Sequence, residues 1–245
     1  MRASVLVVDV GTGRTVNSLG DLTTRSTPGS VLKPFVLLTA LRAHVMTDRD
    51  TVACRGTLTV AGHNLACSHP RDIAVLDARE ALANSCNTYF ATVARRMPAG
   101  TLAEGLRDFG ITPSHAPRDS DDRVLMALGI QGTAISTASL AEAYRKLVLA
   151  MNTPGDHAAH VVEDGMVQSV QTGMAHAARV EGVALGGKTG TVDDGGGRSH
   201  GWFAGIIFDS AGKAQRVIVV FVPNGNGNDA AALAKRVIAE TRNAQ

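Results

Sequence analysis

The two ends of this chain are rich in β-branched residues and the middle is not, and that asymmetry restricts the fold more than any other feature. Ser4 to Val10 (SVLVVDV) is a strand-forming run, Gly11-Thr12-Gly13 is turn material, and Arg14 to Leu19 continues as a shorter strand, so the chain opens with a hairpin. After Val183 three further strands are expected, Leu185 to Thr191, Gly201 to Asp209 and Gln215 to Pro223, separated by the turns DDGGGRS and SAGKA. Tight turns between consecutive strands imply an antiparallel meander. Between the ends, Ser30 to Val45, Asp72 to Met97, Leu102 to Phe109 and Thr137 to Met151 read as helices, joined by loops such as Thr112 to Asp122. A last helix over Asp229 to Thr241 sets Ala230, Leu233, Ala234, Val237 and Ile238 on one face, the spacing of a helix laid on a sheet. The order predicts an α+β fold: one antiparallel sheet closed by both ends of the chain, flanked by helices, with an all-helical lobe inserted. The expected organisation is a single domain over 1–245, with a sheet lobe at about 1–50 and 183–245 and a helical lobe at about 68–155. Thr51 to Ala66, with short β-like pieces around Gly56 and Gly62, reads as a small protruding ribbon.

Composition narrows the function classes. Lys and Arg total 24 against 22 Asp and Glu, and no basic cluster is interleaved with aromatics, so nucleic acid is not an expected partner. Three cysteines (Cys54, Cys67, Cys86) are too few for a disulfide framework, and the eight histidines show no H-x-x-x-H. The expectation is therefore no metal and no cofactor. No stretch has the roughly 20 apolar residues of a membrane-spanning helix, and Met1 to Val10 is not a signal sequence. If the protein works outside the cytoplasm, the segment that exports or anchors it is expected to lie outside this chain.

Three short patterns carry the chemistry: Ser30-Val31-Leu32-Lys33, Ser85-Cys86-Asn87 and Lys188-Thr189-Gly190. Residues three apart on a helix share a face, so Lys33 is expected to point back toward the Ser30 hydroxyl. The segment SVLKPFVLLTALRAHV is apolar on nearly every side, which marks a buried helix. Pro34 is tolerated near its start. Burial disfavours an ammonium and makes the amine available as a base, while the helix N-terminus favours negative charge on the serine. The competing reading makes Ser30 an N-cap and Lys33 a surface lysine. The form S-x-x-K recurs at Ser210 to Lys213 in a polar turn, so the pattern means little without the buried helix. Lys188-Thr189-Gly190 closes a strand with a cation, a hydroxyl and a glycine, apt for a substrate carboxylate beside a strand edge.

In this order the three patterns resemble the S-x-x-K, S-x-N and K-T-G trio of the penicillin-binding and serine β-lactamase superfamily. The flanking sequences STPGSVLKPF, ALANSCNTYF, GIQGTAISTASLAEAY, GGKTGT and HGWFAGI are similar to the transpeptidase domain of penicillin-binding proteins over nearly the whole chain. That resemblance implies an antiparallel sheet and a helical lobe with the active site between them. It implies Ser30 as nucleophile, Lys33 as its base and Ser85 as proton relay. Asn87 would hold the substrate amide, Lys188, Thr189 and Gly190 would bind the terminal carboxylate region, and the N–H groups of Ser30 and Thr191 would form the oxyanion hole. The implied partners are the D-alanyl-D-alanine stem peptide of peptidoglycan and β-lactam antibiotics, the implied place is the extracytoplasmic side of the membrane, and a membrane-anchored or multidomain setting beyond this chain is expected. Trp202 is read as a core aromatic beside the K-T-G strand, and Gln131 and Gly132 as structural. Cys54 and Cys67 bracket a ribbon similar to one in many family members and would pair in an oxidising compartment. Cys86 reads as a small buried filler.

Two rivals follow from the same residues. A β-lactamase needs a base for water, yet there is no class A E-x-x-L-N segment, Glu163 lacks its context, and the class D Y-G-N is absent. Asn87 favours the penicillin-binding branch. A β-lactam sensor domain would keep all three motifs. The chain is short for a transpeptidase domain, and the brief segment from Thr153 to Val183 suggests trimmed substrate-binding loops.

Overall fold

The structure, a computed structural model, describes residues 2–193 and 196–243. Two residues of the expected turn DDGGGRS, Asp194 and Gly195, lie outside the described residues. The chain begins with strands β1 (Ser4–Asp9) and β2 (Thr15–Leu19), a short β3 (Arg25–Ser26), and a 3-10 turn (Gly29–Leu32) that runs directly into helix α1 (Lys33–Arg42). There follow β4 (Val52–Ala53), the ribbon strands β5 (Thr57–Val60) and β6 (His63–Ala66), and β7 (Val75–Leu76). Then come α2 (Ala78–Ala83), α3 (Asn87–Arg96), α4 (Thr101–Asp108), α5 (Ser120–Ala127), β8 (Ile135–Ser136), α6 (Thr137–Met151) and α7 (His157–Gln171). The chain closes with β9 (Ala184–Asp193), β10 (Ser199–Phe208), β11 (Ala214–Pro223) and α8 (Gly227–Asn243).

The main sheet has the order β2-β1-β11-β10-β9, antiparallel throughout, so the first and last strands of the chain meet at β1 and β11, with Leu6 opposite Val219. Period-two alternation assigns its faces. Val5, Val7, Phe203, Ile218 and Val220 join Ala230, Ala231, Ala234 and Ile238 of α8 in one apolar cluster. Leu6, Val8, Trp202, Ala204, Val217 and Val219 point the other way, into the larger core shared with α1, α3 and α6. Every residue of α1 from Lys33 to Leu41 is buried, as its uniformly apolar sequence predicts. Phe35 meets Tyr144 of α6 edge-on at 5.1 Å and Phe109 at 5.2 Å, contacts worth roughly 0.5–1.5 kcal/mol each beyond their burial.

Three expected segments differ. Asp72 to Met97 is not one helix: Asp77 and Glu80 form a reciprocal capping box that starts α2, and Ser85, at φ 54°, breaks the path before α3. The expected Thr112 to Asp122 loop ends early because Asp119 caps α5, accepting from the Asp122 N–H at 2.8 Å. Thr153 to Val183 contains a full helix, α7, whose N-cap Asp156 also binds Arg42 at 2.6 Å. Gly165 lets α7 lie against α2, since a Cβ there would come within 3.0 Å of Leu82 Cδ2. No helix among the described residues is long and apolar enough to cross a membrane.

Candidate active site

The Ser30 turn is held in place by contacts from four distant segments. His200 Nε2 and Trp202 Nε1 both bond the Thr27 carbonyl, at 2.7 and 3.0 Å. Gly29 N–H donates to Gly129 O at 2.9 Å, and the Tyr144 hydroxyl donates to Val31 O at 2.9 Å. Gly129, at φ 68°, packs so closely that a Cβ would overlap the Gly29 carbonyl. Gly190 of β9 is equally constrained, because a Cβ there would sit 2.7 Å from Pro28 O and 3.3 Å from Ser30 N. Ser30 is not a helix N-cap: it lies within the 3-10 turn, whose cap makes no side-chain hydrogen bond.

Lys33 opens α1 and is completely buried, which excludes the surface-lysine reading. The hydrogen bonds of its ammonium go to the S-x-N segment and none to Ser30. It donates to Ser85 O at 2.7 Å, Ser85 Oγ at 3.2 Å and Asn87 Oδ1 at 2.8 Å, and lies 5.1 Å above the Phe90 ring. Burial pulls its pKa down to about 8, against the opposing pull of Cys86 and Cys67. Ser85 reaches these bonds by adopting the left-handed backbone at the end of α2, where its N–H donates to Leu82 O at 3.2 Å and the Cys86 N–H to Ala81 O at 3.0 Å. Asn87 spends its other end on the ribbon, donating from Nδ2 to Ala66 O at 2.8 Å.

On β9, Lys188 is fully buried and donates to Thr189 O at 3.0 Å. Burial first, and the Lys33 charge second, push its pKa well below the usual lysine range. Thr189 Oγ1 donates to Met174 O at 3.4 Å, and Thr191 Oγ1 accepts the Gly227 N–H at 2.8 Å. The Thr191 N–H lies toward the Ser30 turn, 3.6 Å from where a Gly29 Cβ would be.

Ser30, Asn87 and Thr191 thus line one cleft of about 530 Å³, and Lys33, Ser85, Lys188, Thr189 and Gly190 are not among its lining residues. Its other walls include His63 to Ala66 of the ribbon, Leu128 and Ile130, none of them singled out by sequence reasoning. Glu163 lies on α7, half-buried and raised by that burial, and does not line the cleft. Trp202 is wholly buried, 4.4 Å from the Phe221 ring, and serves the site by tying down Thr27. Gln131 donates to Asp122 at 3.1 Å, and His115 and Arg118 donate to the same buried carboxylate, whose pKa is held well below the usual range. Cys54 and Cys67 are free thiols 3.5 Å apart, and Cys86 faces Cys67 at 3.9 Å.

An antiparallel sheet whose edge strand carries K-T-G stands beside a buried helix that carries S-x-x-K. The chain belongs to the penicillin-binding protein transpeptidase domain family, whose model matches residues 3–241. No curated protein sequence matches it. Among solved structures it is similar to the D,D-transpeptidase domain of a peptidoglycan glycosyltransferase from Eggerthella lenta, at TM-score 0.84 and 18% identity, covering 100% of this chain and 78% of that one. The transpeptidase domain of Burkholderia pseudomallei penicillin-binding protein 3 aligns at TM-score 0.84 and 20% identity, covering 99% and 88%. Pseudomonas aeruginosa PBP2, in complex with WCK 5153, aligns at TM-score 0.84 and 17% identity, covering 98% and 73%.

Proposed function

We propose that this domain is a D,D-transpeptidase that cleaves D-alanyl-D-alanine stem peptides of peptidoglycan through an acyl-Ser30 intermediate and is acylated at Ser30 by β-lactams. The observation that carries this reading is the wholly buried Lys33 bonded to both Ser85 and Asn87 behind a cleft that Ser30 and Asn87 line. A neutral Lys33 keeps two N–H donors, matched to Ser85 O and Asn87 Oδ1, and gains a lone pair. That lone pair takes the Ser30 proton as Oγ attacks the carbonyl carbon, directly or through the Ser85 hydroxyl. Ser85 then returns a proton to the leaving D-alanine nitrogen. The N–H groups of Ser30 and Thr191 hold the oxyanion. Asn87 orients the substrate amide. A terminal carboxylate arriving beside Thr189 and Gly190 favours the ammonium form of the buried Lys188 behind the strand, offsetting the burial that disfavours it. An amine of a second stem peptide then attacks the acyl carbon and releases Ser30. Because peptidoglycan is extracytoplasmic, so is the proposed site of action, in a membrane-anchored or multidomain setting.

The test is an intact-mass time course with a β-lactam, followed by a D-alanyl-D-alanine donor and an amine acceptor. The reading expects one acyl group per chain in a burst, very slow release, and cross-linked product. Rapid multiple turnover of the β-lactam would instead make the domain a β-lactamase of class D-like type, and a burst with no cross-linking under any acceptor would favour a sensor.

A further inference from the structure

Beside the cleft, Cys54, Cys67, His69 and Cys86 bring three sulfurs and one imidazole nitrogen within 4.8 Å of one another. They come from three separate segments: the residue after β4, the loop after β6, and the N-cap of α3. The sulfur separations of 3.5 Å (Cys54 to Cys67) and 3.9 Å (Cys67 to Cys86) bracket the edge of about 3.8 Å expected of a tetrahedron with metal–sulfur bonds near 2.3 Å. The second observation concerns His69. Its side chain is only 7% exposed, Nδ1 sits 2.9 Å from Pro70 O, and Nε2, fully buried, has no hydrogen-bond partner. With Nδ1–H donating to that carbonyl, Nε2 carries a lone pair, the arrangement that outer-shell partners impose on metal-binding histidines. A buried acceptor left unpaired is destabilising, and a ligand on Nε2 would relieve it. Cys54 Sγ has outer-shell partners as well: Gly56 N–H donates to it at 3.3 Å, and as a thiol it donates to Thr88 Oγ1 at 3.4 Å, a hydroxyl that can donate in turn to a thiolate.

The geometry points to a structural zinc site formed by Cys54, Cys67, Cys86 and His69. Thiolate and imidazole donors in tetrahedral array suit Zn²⁺, and four protein ligands close the coordination sphere, which marks a structural rather than a catalytic ion. Binding takes up one Zn²⁺ and releases three thiol protons to solvent, with His69 neutral. The ion's place gives it a task. Cys86 stands between Ser85 and Asn87, and Cys67 follows the ribbon strand whose Ala66 carbonyl accepts from Asn87. Zinc would therefore rivet the ribbon wall of the cleft to the S-x-N segment.

The deciding experiment titrates the reduced, metal-free full chain with Zn²⁺ and, separately, Co²⁺. One equivalent should bind, Co²⁺ should develop the intense visible and sulfur-to-metal absorption of a tetrahedral thiolate site, and zinc should shield all three thiols from a thiol reagent. His69→Ala should weaken binding by at least the roughly 10- to 100-fold typical of outer-shell changes, and His69→Cys should restore it with a cobalt spectrum shifted toward a four-thiolate site. Octahedral cobalt absorption, or three thiols that react equally with and without zinc, would overturn the site. So would a protein that keeps a Cys54–Cys67 disulfide in its folded form and takes up no zinc after reduction. The wild-type titration decides the matter even where a variant fails to fold.

Discussion

The sequence contains S-x-x-K twice, and the structure gives the two copies opposite surroundings. Ser30 and Lys33 sit where a 3-10 turn enters a fully buried helix, and the lysine's three hydrogens are all spent on Ser85 and Asn87. Ser210 to Lys213 forms the exposed turn between β10 and β11, closed by Asp209 N–H to Lys213 O at 2.9 Å, with Gly212 at φ 79°. Asp209 Oδ1 accepts from both the Ala211 and Lys213 N–H groups at 2.9 Å, so this copy is a turn built from its own backbone. The same letters put the lysine in the core in one place and in solvent in the other. Desolvation, rather than spacing, makes the difference.

The comparison is broken most severely at Lys33. Lys33→Arg keeps the charge and removes the base, and should lower β-lactam acylation roughly 100- to 10,000-fold by stopped-flow measurement. Because burial lowers the Lys33 pKa to about 8 from the usual 10.5, the neutral amine is populated from about pH 8 upward. Wild-type acylation should accordingly rise with pH through about 8 and level off above, and the rise should vanish in Lys33→Arg.

The next largest effect is expected from Gly190→Ala. Its Cβ would meet backbone, the Pro28 carbonyl at 2.7 Å, and can be accommodated only by moving the Ser30 turn. A displacement near 1 Å typically costs about 100-fold in rate, so acylation should fall by that order while secondary structure persists by circular dichroism. Tyr144→Phe is gentler. It leaves the buried Val31 carbonyl without the Tyr144 donor, and a denaturant titration should show a loss of about 1–3 kcal/mol with a smaller fall in rate. Ser210→Ala and Lys213→Ala complete the contrast: stability should stay within about 0.5 kcal/mol of wild type and acylation should not change.

The strands are legible because β1, β10 and β11 are short apolar runs rich in β-branched and aromatic residues, bounded by turn residues and buried on both faces. Helix α1 was legible because no polar stripe interrupts it. What escaped were interactions joining positions far apart in sequence. Tyr144 to Val31 and Trp202 to Thr27 are side-chain bonds to carbonyls, and no local spacing announces them. The acceptors of Lys33 escape notice for the same reason: helical spacing marks only Ser30 as a neighbour, whereas Ser85 and Asn87 are brought to the ammonium by a left-handed residue that no local spacing announces. Helix α7 lies in the segment read only as brief, and its contact with α2 at Gly165 joins positions far apart in sequence. The cysteines and His69 carried no recognisable metal spacing, because their segments converge only after the ribbon folds against α3.

Acylation at Ser30 is the step on which every role proposed for Lys33, Ser85 and Asn87 depends. Peptide mapping by mass spectrometry after brief exposure to a fluorescent penicillin tests this directly. It should place one label on the Ser30 peptide, absent from Ser30→Ala and undiminished in Ser210→Ala. A label on any other residue, or one that survives Ser30→Ala, would contradict it.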